Sequence, residues 1–285
     1  MEWLIQILNS VQYGLLLFLV ASGLTLIFGI LGVINLAHGS FYMIGAYLAF
    51  TLSSLTGSLW LAIPLGIVLS AALGLALEWA LVSRLYRRDH LYQVLLTFGL
   101  ILIFEELRSI IVGDDVHGVE PPPILAGTLP LGDVMTYPVY RLFVSGICLL
   151  VALGMWYVFT RTRLGMMIRA GSNNREMVQS LGIDIKFLYR VVFAAGVAIA
   201  VLAGMVAAPV SSVYPGMGNS VLIICFVVVV IGGIGSIRGA LLAALLIGVV
   251  DTFGKVLLPQ ASGVLVYVLM ALILLWKPDG LFKAG

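Results

Sequence analysis

Charge is scarce in this 285-residue chain: Asp, Glu, Lys and Arg together make up 10% of it, against roughly 25% in soluble domains. With hydrophobic residues at 62% and a mean hydropathy of +1.16, a soluble fold is excluded and an integral membrane chain is indicated. The formal net charge is only +2, and the basic residues gather in loop clusters rather than along one stripe, so no nucleic-acid partner is expected. Cysteine is nearly absent. Cys148 and Cys225 both fall inside apolar runs, where a free Cys behaves as a small hydrophobe, so neither a disulfide framework nor a metal site is supported. ATP chemistry is missing as well: the glycine-rich run Gly232 to Gly239 lacks the GK[ST] ending of a P-loop, and no lysine is placed to hold phosphates. Nor is there a hydrolase pair, because Ser40 lies two residues from His38, a spacing that directs side chains apart on a helix. No catalytic residue, metal ligand or cofactor is assigned to the chain.

What is abundant is apolar sequence in runs of about twenty residues, long enough for helical spans and without the ten-residue alternation of a membrane barrel. Candidate spans cover roughly 5–30, 39–55, 60–83, 91–112, 138–159, 188–210, 219–235, 237–258 and 262–276. The expected fold is all-α, a polytopic bundle of about eight to nine spans in one domain, 1–285. The first run begins within a few residues of Met1 and has Glu2 where a basic n-region would stand, so it reads as an uncleaved span. The connection with Arg84, Arg87 and Arg88, the island 161–190 and the tail with Lys277 and Lys283 are basic. The loop 113–137 holds Asp114, Asp115, Glu120 and Asp133 with no Lys or Arg. The positive-inside rule then puts that loop and the N-terminus outside, and the island and C-terminus in the cytoplasm. Pro121, Pro122 and Pro123 break any helix in the outer loop, which reads as an external lid or docking surface, or else as a floppy linker.

Two junctions are odd for simple helix hairpins: Ile34 to Ser40, and Gly232 to Gly239. Both are short polar or glycine-rich breaks followed by an apolar helix, so they are candidates for equivalent points in two halves of an internal repeat. Interrupted helices of this kind place polar backbone near the bilayer middle in many transporters. Asn35, His38, Ser40 and Tyr42, with Gly232, Gly233, Gly235 and Ser236 at the second break, are the candidate translocation residues. Asn35 and His38 either bond the charged ends of a solute or cap the broken helix without meeting it.

The island 161–190 carries six of the fifteen Lys and Arg residues. Within it, Asn173 is a candidate N-cap with Glu176 three positions on, and Gly182 supplies the stop, giving a helix of about two turns. Met177, Val178 and Leu181 are expected to form its apolar ridge, with Arg175 and Gln179 toward the other side. A short helix with a ridge and a charged rim suits a groove on a partner; the alternative is a helix lying on lipid, normally longer and more basic. Among charges in the spans, Glu105 with Arg108 and Asp251 with Lys255 stand three and four residues apart and can pair. Glu78 has no opposite charge at helical spacing before Arg84, so a bond to another helix or subunit is expected ahead of a role in proton relay.

The combination INLAHGSFYMIGAY at 34–47, RTRLGMMIRAGSNNREMVQSLGI at 161–183 and VVIGGIGSIRGA at 229–240 resembles the LivH-like inner-membrane permeases of branched-chain amino acid ABC importers, and the resemblance runs in order along the whole chain. It implies a bacterial inner-membrane permease forming a heterodimer with a second, related permease. It also implies two cytoplasmic ATPase subunits that bind ATP and Mg, and a periplasmic binding protein that delivers a small amino-acid substrate. In that family the segment matching Arg175, Glu176, Met177, Val178, Leu181, Gly182 and Ile183 is the ATPase-coupling loop, and Val178 stands where an alanine is common. The competing reading is an autonomous secondary transporter or channel. It explains the broken helices but leaves the cytoplasmic helix without a task, and it needs more acidic ion ligands than Glu78, Glu105 and Asp251 supply.

Overall fold

The computed structural model describes residues 2–86, 88–130 and 136–282; Arg87, Asp133 and Lys283, and the side chains of Asn173, Arg175 and Glu176, lie outside the described residues. The chain forms a helical bundle: α1 (Glu2–Leu26, extended by a π-helical turn Ile27–Leu31), α2 (His38–Thr56), α3 (Leu59–Ala80), α4 (His90–Val112), α5 (Val139–Arg161), α6 (Arg163–Asn173), α7 (Arg175–Ser180), α8 (Ile185–Ala207), α9 (Met217–Gly232), α10 (Ile237–Leu257) and α11 (Ser262–Trp276). Each of the nine expected spans coincides with one helix. Trp3–Leu31, Leu59–Arg84, Val139–Arg161, Ile185–Ala207 and Ile237–Leu257 are long and apolar enough to cross a membrane, while Met217–Gly232 and Ser262–Trp276 are apolar but shorter. The protein is a multi-pass membrane protein. In the outer loop, β1 (Thr128–Pro130) pairs antiparallel with β2 (Thr136–Pro138), and His117 bridges Val213 in the segment between α8 and α9. The loop is therefore fastened to the bundle and is not a free linker.

Burial sorts the helices into an inner and an outer set. α1 and α8 form the centre, with Phe18, Leu19, Leu24, Val197, Val201 and Met205 almost wholly enclosed. α3, α4, α5 and α11 present large apolar side chains outward, such as Val68, Ile110, Leu150 and Leu272. Lipid is as apolar as leucine, so burial alone does not draw such helices together; close backbone packing does, and small residues permit it. Accordingly a Cβ added to Gly248 would lie 2.7 Å from the Gly14 nitrogen, joining α10 to α1, and one on Gly74 would lie 2.9 Å from Ala194 Cα, joining α3 to α8.

The two halves of the bundle are related, though not as the sequence suggests. α1 runs along α10 as α8 runs along α3, and α4 flanks α2 as α11 flanks α9. The segments α1–α4 and α8–α11 thus form inverted repeats, with the first break (residues 32–37) matching the α8–α9 junction (208–216), not the glycine run 232–239. Two reciprocal contacts mark the axis between them. A Cβ on Gly23 would meet the Gly196 carbonyl at 2.6 Å and one on Gly196 would meet the Gly23 carbonyl at 3.0 Å. Gly39 and Gly218, each the second residue of its helix, oppose one another likewise, a Cβ on Gly218 meeting the Gly39 carbonyl oxygen at 2.7 Å. Gly196 stands midway along α8, so the first turns of α2 and α9 meet inside the bundle. The run at 232–239 is instead a tight turn at one end, with Gly233 and Gly235 at φ 95° and 81° and Gly232 packed on Gly239. Leu281 and Phe282 donate backbone N–H groups to the Ile231 and Gly232 carbonyls, at 2.8 and 3.2 Å, strapping that turn.

The charges divide between the ends. Among the described residues, Arg108, Arg141 and Lys255 are the Lys and Arg side chains at the end that carries Asp114, Asp115 and Glu120. Contacts of Arg141 with Asn9 and of Lys255 with Tyr13 tie that acidic end together. The other end, with 161–190, the α3–α4 turn, Arg238 and Lys277, is basic.

Candidate functional site

The polar island folds at the basic end as two short helices. Thr162 caps α6, its hydroxyl accepting from the Gly165 N–H at 3.2 Å, an interaction that satisfies one of the orphan donors of a helix start. α7 is capped by Asn174, whose Oδ1 accepts from the Met177 N–H at 3.0 Å, not by Asn173, which ends α6. The cap shifts by one residue because α6 extends through Asn173, leaving the second of two adjacent asparagines at the boundary. Gly182, at φ 80°, stops α7 as expected, and its N–H reaches the Gln179 carbonyl at 2.9 Å. Asp184 then opens α8, accepting from Lys186 and Phe187 at 2.9 and 3.1 Å.

The apolar ridge of α7 is narrower than expected. Met177 and Leu181 are 62% and 70% exposed, whereas Val178 is 3% exposed and packs into the core. Successive helical residues diverge by about 100°, so with Met177 and Leu181 outward Val178 turns in. Its backbone carbonyl also accepts from the Ile183 N–H at 3.3 Å. Val178 is the anchor of α7, and Met177 with Leu181 is its outer face.

From that anchor a polar connection leads to α3. Arg190, in the second turn of α8, donates through Nε to Glu78 Oε2 at 3.2 Å, and Tyr86 donates to Glu78 Oε1 at 2.8 Å. The Glu78 side chain is 1% exposed and that of Arg190 40%, so Glu78 has the partner on another helix that its position demands. A cavity of about 770 Å³ lies beside this bond, lined by Gln179 of α7, Lys186 and Arg190 of α8, and Arg84. Only four residues, 181–184, separate α7 from α8, and one ion pair joins α8 to α3. The roles of Arg190 and Tyr86 are not legible in the sequence, because 112 residues separate Arg190 from Glu78 and neither carries a local motif. Glu105–Arg108 and Asp251–Lys255 pair as expected, at 3.4 and 2.6 Å, and Arg108 also reaches Asp114 at 2.9 Å.

The residues of the first break come together in the interior. His38 Nε2 bonds the Val20 carbonyl of α1 at 2.8 Å, and Asn35 Oδ1 accepts from the Ala37 N–H at 3.1 Å. Both side chains are buried, and Asn35 Nδ2 and His38 Nδ1 find no partner among the described residues. This geometry accords with holding the broken helix together, while leaving two polar atoms in reserve. Gln93 fixes the break from outside, its Oε1 accepting from the Ile34 N–H at 3.3 Å. Ser40 and Tyr42 follow on α2, both buried. Gly232, Gly233, Gly235 and Ser236 are remote from this group, at the basic end, where Ser236 caps α10 by accepting from Gly239 at 3.1 Å. The structure thus separates two clusters that the sequence suggests are alike.

Comparison with known proteins agrees with this architecture. The profile of the family described as branched-chain amino acid transport system / permease component matches residues 6–274. The chain is 31% identical to the high-affinity branched-chain amino acid transport system permease protein BraD of Pseudomonas aeruginosa, over 98% of this chain and 95% of the relative. It is 28% identical to the corresponding LivH protein of Escherichia coli K12, over 97% and 94%. Its identity to that organism's LivM permease is 29%, over 91% of this chain and 66% of the relative. No solved structure matches the chain. With the profile spanning nearly every helix of the bundle, the chain belongs to the family of branched-chain amino acid transport permease components.

Proposed function

We propose that this chain is the membrane permease subunit of an ATP-binding cassette importer, moving branched-chain amino acids across a bacterial inner membrane while separate subunits hydrolyse ATP. The supporting observation is the basic-end assembly: an exposed Met177–Leu181 face on a capped two-turn helix, anchored by Val178 and joined to α8 through Gly182 to Asp184. Such a face is shaped to enter a groove on a partner, and the permeases to which the chain is similar are named as components of branched-chain amino acid transport systems. Similarity to both LivH and LivM supports a second, related permease beside this one. Two ATPase subunits carrying ATP and Mg and a periplasmic binding protein complete the assembly, with the basic end and the C-terminus in the cytoplasm. A motor can shift the gate only by binding its two states differently, and the α7–α8–Glu78 connection is the route by which it would do so.

The test is replacement of Met177 and Leu181 together by Asp in the assembled complex. Loss of ATPase association and of ATP-driven uptake, with the bundle still folded, is the expected result. Unchanged association and uptake would refute the coupling assignment. Accumulation of solute by the purified chain alone in liposomes, without nucleotide, would assign it to autonomous transporters.

A further inference from the structure

A second cleft at the basic end, of about 440 Å³, is bounded by the π-helical end of α1, by α6 and by the start of α10. It lies apart from the α7 ridge and from the Glu78–Arg190 pair. Arg169 and Arg238 both line it, and among the described residues no acidic one does. Arg169 uses one guanidinium N–H on the Phe159 carbonyl; among the described residues, Arg238 has no carboxylate partner. The start of α10 adds further donors. Ser236 Oγ takes the Gly239 N–H, and the N–H groups of Ile237 and Arg238, in the first turn, have no intrahelical acceptor. Two guanidinium forks and a helix start form a donor set that matches the oxygens of a phosphate.

The rest of the lining is of another kind. Leu26, Ile30 and Ile168 give the cleft an apolar wall. The hydroxyls of Thr25, Thr160 and Ser172 donate to carbonyls of their own helices, so toward a ligand they act as acceptors. A soluble anion gains nothing from an apolar wall, whereas an amphiphile uses it for its glycerol and acyl chains. Basic pockets between helices at the membrane surface suit anionic lipid headgroups. From these observations we infer that the cleft between α1, α6 and α10 binds the phosphate headgroup of an anionic phospholipid through Arg169 and Arg238. This site is independent of the coupling assignment.

Native mass spectrometry of the full-length chain, extracted from vesicles of equal phosphatidylglycerol and phosphatidylcholine, tests the inference. Wild type should retain phosphatidylglycerol in preference to phosphatidylcholine, and R169Q/R238Q should lose that preference by about thirtyfold, at roughly a factor of five for each basic side chain near the surface. The milder R238K, which keeps the charge, should retain most of it, so that a misfolded double variant does not decide the matter. R84Q, at the same end but outside the cleft, should change nothing; an equal loss there would mean diffuse surface attraction and overturn the inference. So would equal retention of the two lipids by wild type. Inorganic phosphate is the competing arm: saturable binding of phosphate lost in R169Q/R238Q, without any lipid preference, would overturn the lipid assignment and place a soluble phosphate in the cleft.

Discussion

The ion pair between Glu78 and Arg190 should respond unequally to loss of its two halves. Replacing Arg190 by Gln leaves a carboxylate that is 1% exposed with, among the described residues, only the Tyr86 hydroxyl at 2.8 Å to satisfy it. Breaking a buried pair from one side costs about 3–5 kcal/mol. Because Arg190 is 40% exposed and sits beside a 770 Å³ cavity, the pair is only half desolvated, and about 2–3 kcal/mol is the reasonable share of that range. Replacing Glu78 by Gln is milder. The amide oxygen still accepts from Tyr86, and the freed guanidinium turns into the cavity, so the loss is that of an exposed pair, about 0.5–1 kcal/mol. At about 2–4 °C per kcal/mol for a domain of this size, thermal unfolding in detergent should fall several degrees more in R190Q than in E78Q. The double variant E78Q/R190Q should then be more stable than R190Q alone, since the stranded charge is gone. The reasoning is refuted if E78Q is as costly as R190Q, or if the double variant recovers nothing.

Other outcomes follow from the same geometry. Gly39→Ala should destabilise the bundle by more than about 2 kcal/mol, because the new methyl would strike the Gly218 carbonyl and force the α2 and α9 backbones away from each other; Gly146→Ala, with nothing within 4 Å, should be neutral or stabilising by up to about 1 kcal/mol, as thermal unfolding will report. Asn174→Ala removes the cap of α7, worth about 1 kcal/mol, and the Met177 amide should exchange about fivefold faster with the rest of the pattern unchanged. Hydrogen bonds from Arg108 and Ser109 hold the Asp114 carboxyl below the usual aspartate range. A depressed folded pKa means that its contribution is complete above the unfolded value near 4 and fades as pH falls through the folded one. Amide protection in residues 113–119 should therefore drop only in strong acid, and Asp114→Asn should remove that pH dependence.

Much of the bundle is legible in the sequence because a helix that meets lipid must be apolar for some twenty residues, and that requirement leaves a mark no neighbour can erase. The nine long apolar helices, the Gly182 stop and the pairs Glu105–Arg108 and Asp251–Lys255 are all local in this sense. The correspondence between halves is not. It rests on which backbones approach which, and Gly23, Gly39, Gly196 and Gly218 look in sequence like any other helical glycine. The glycine run 232–239 resembles the first break in composition, yet it turns at an end where the tail straps it. The direction of Val178 is hidden for a related reason: a two-turn helix has too few residues for its pattern to show which side its tethers pull inward. Asn173 and Asn174 offer identical chemistry, and only the length of α6 chooses between them.

The meeting of α2 and α9 has an electrical consequence. Neither helix has a side-chain cap at its first turn, so two sets of forward-pointing amide dipoles confront each other in the buried interior, each equivalent to about half a positive charge. Any sodium ion or proton driven inward by the membrane potential would climb that field, whereas a zwitterion with its carboxylate leading would not. The junction that joins the two repeats therefore carries a positive field at its centre, which disfavours a cation there and favours a carboxylate.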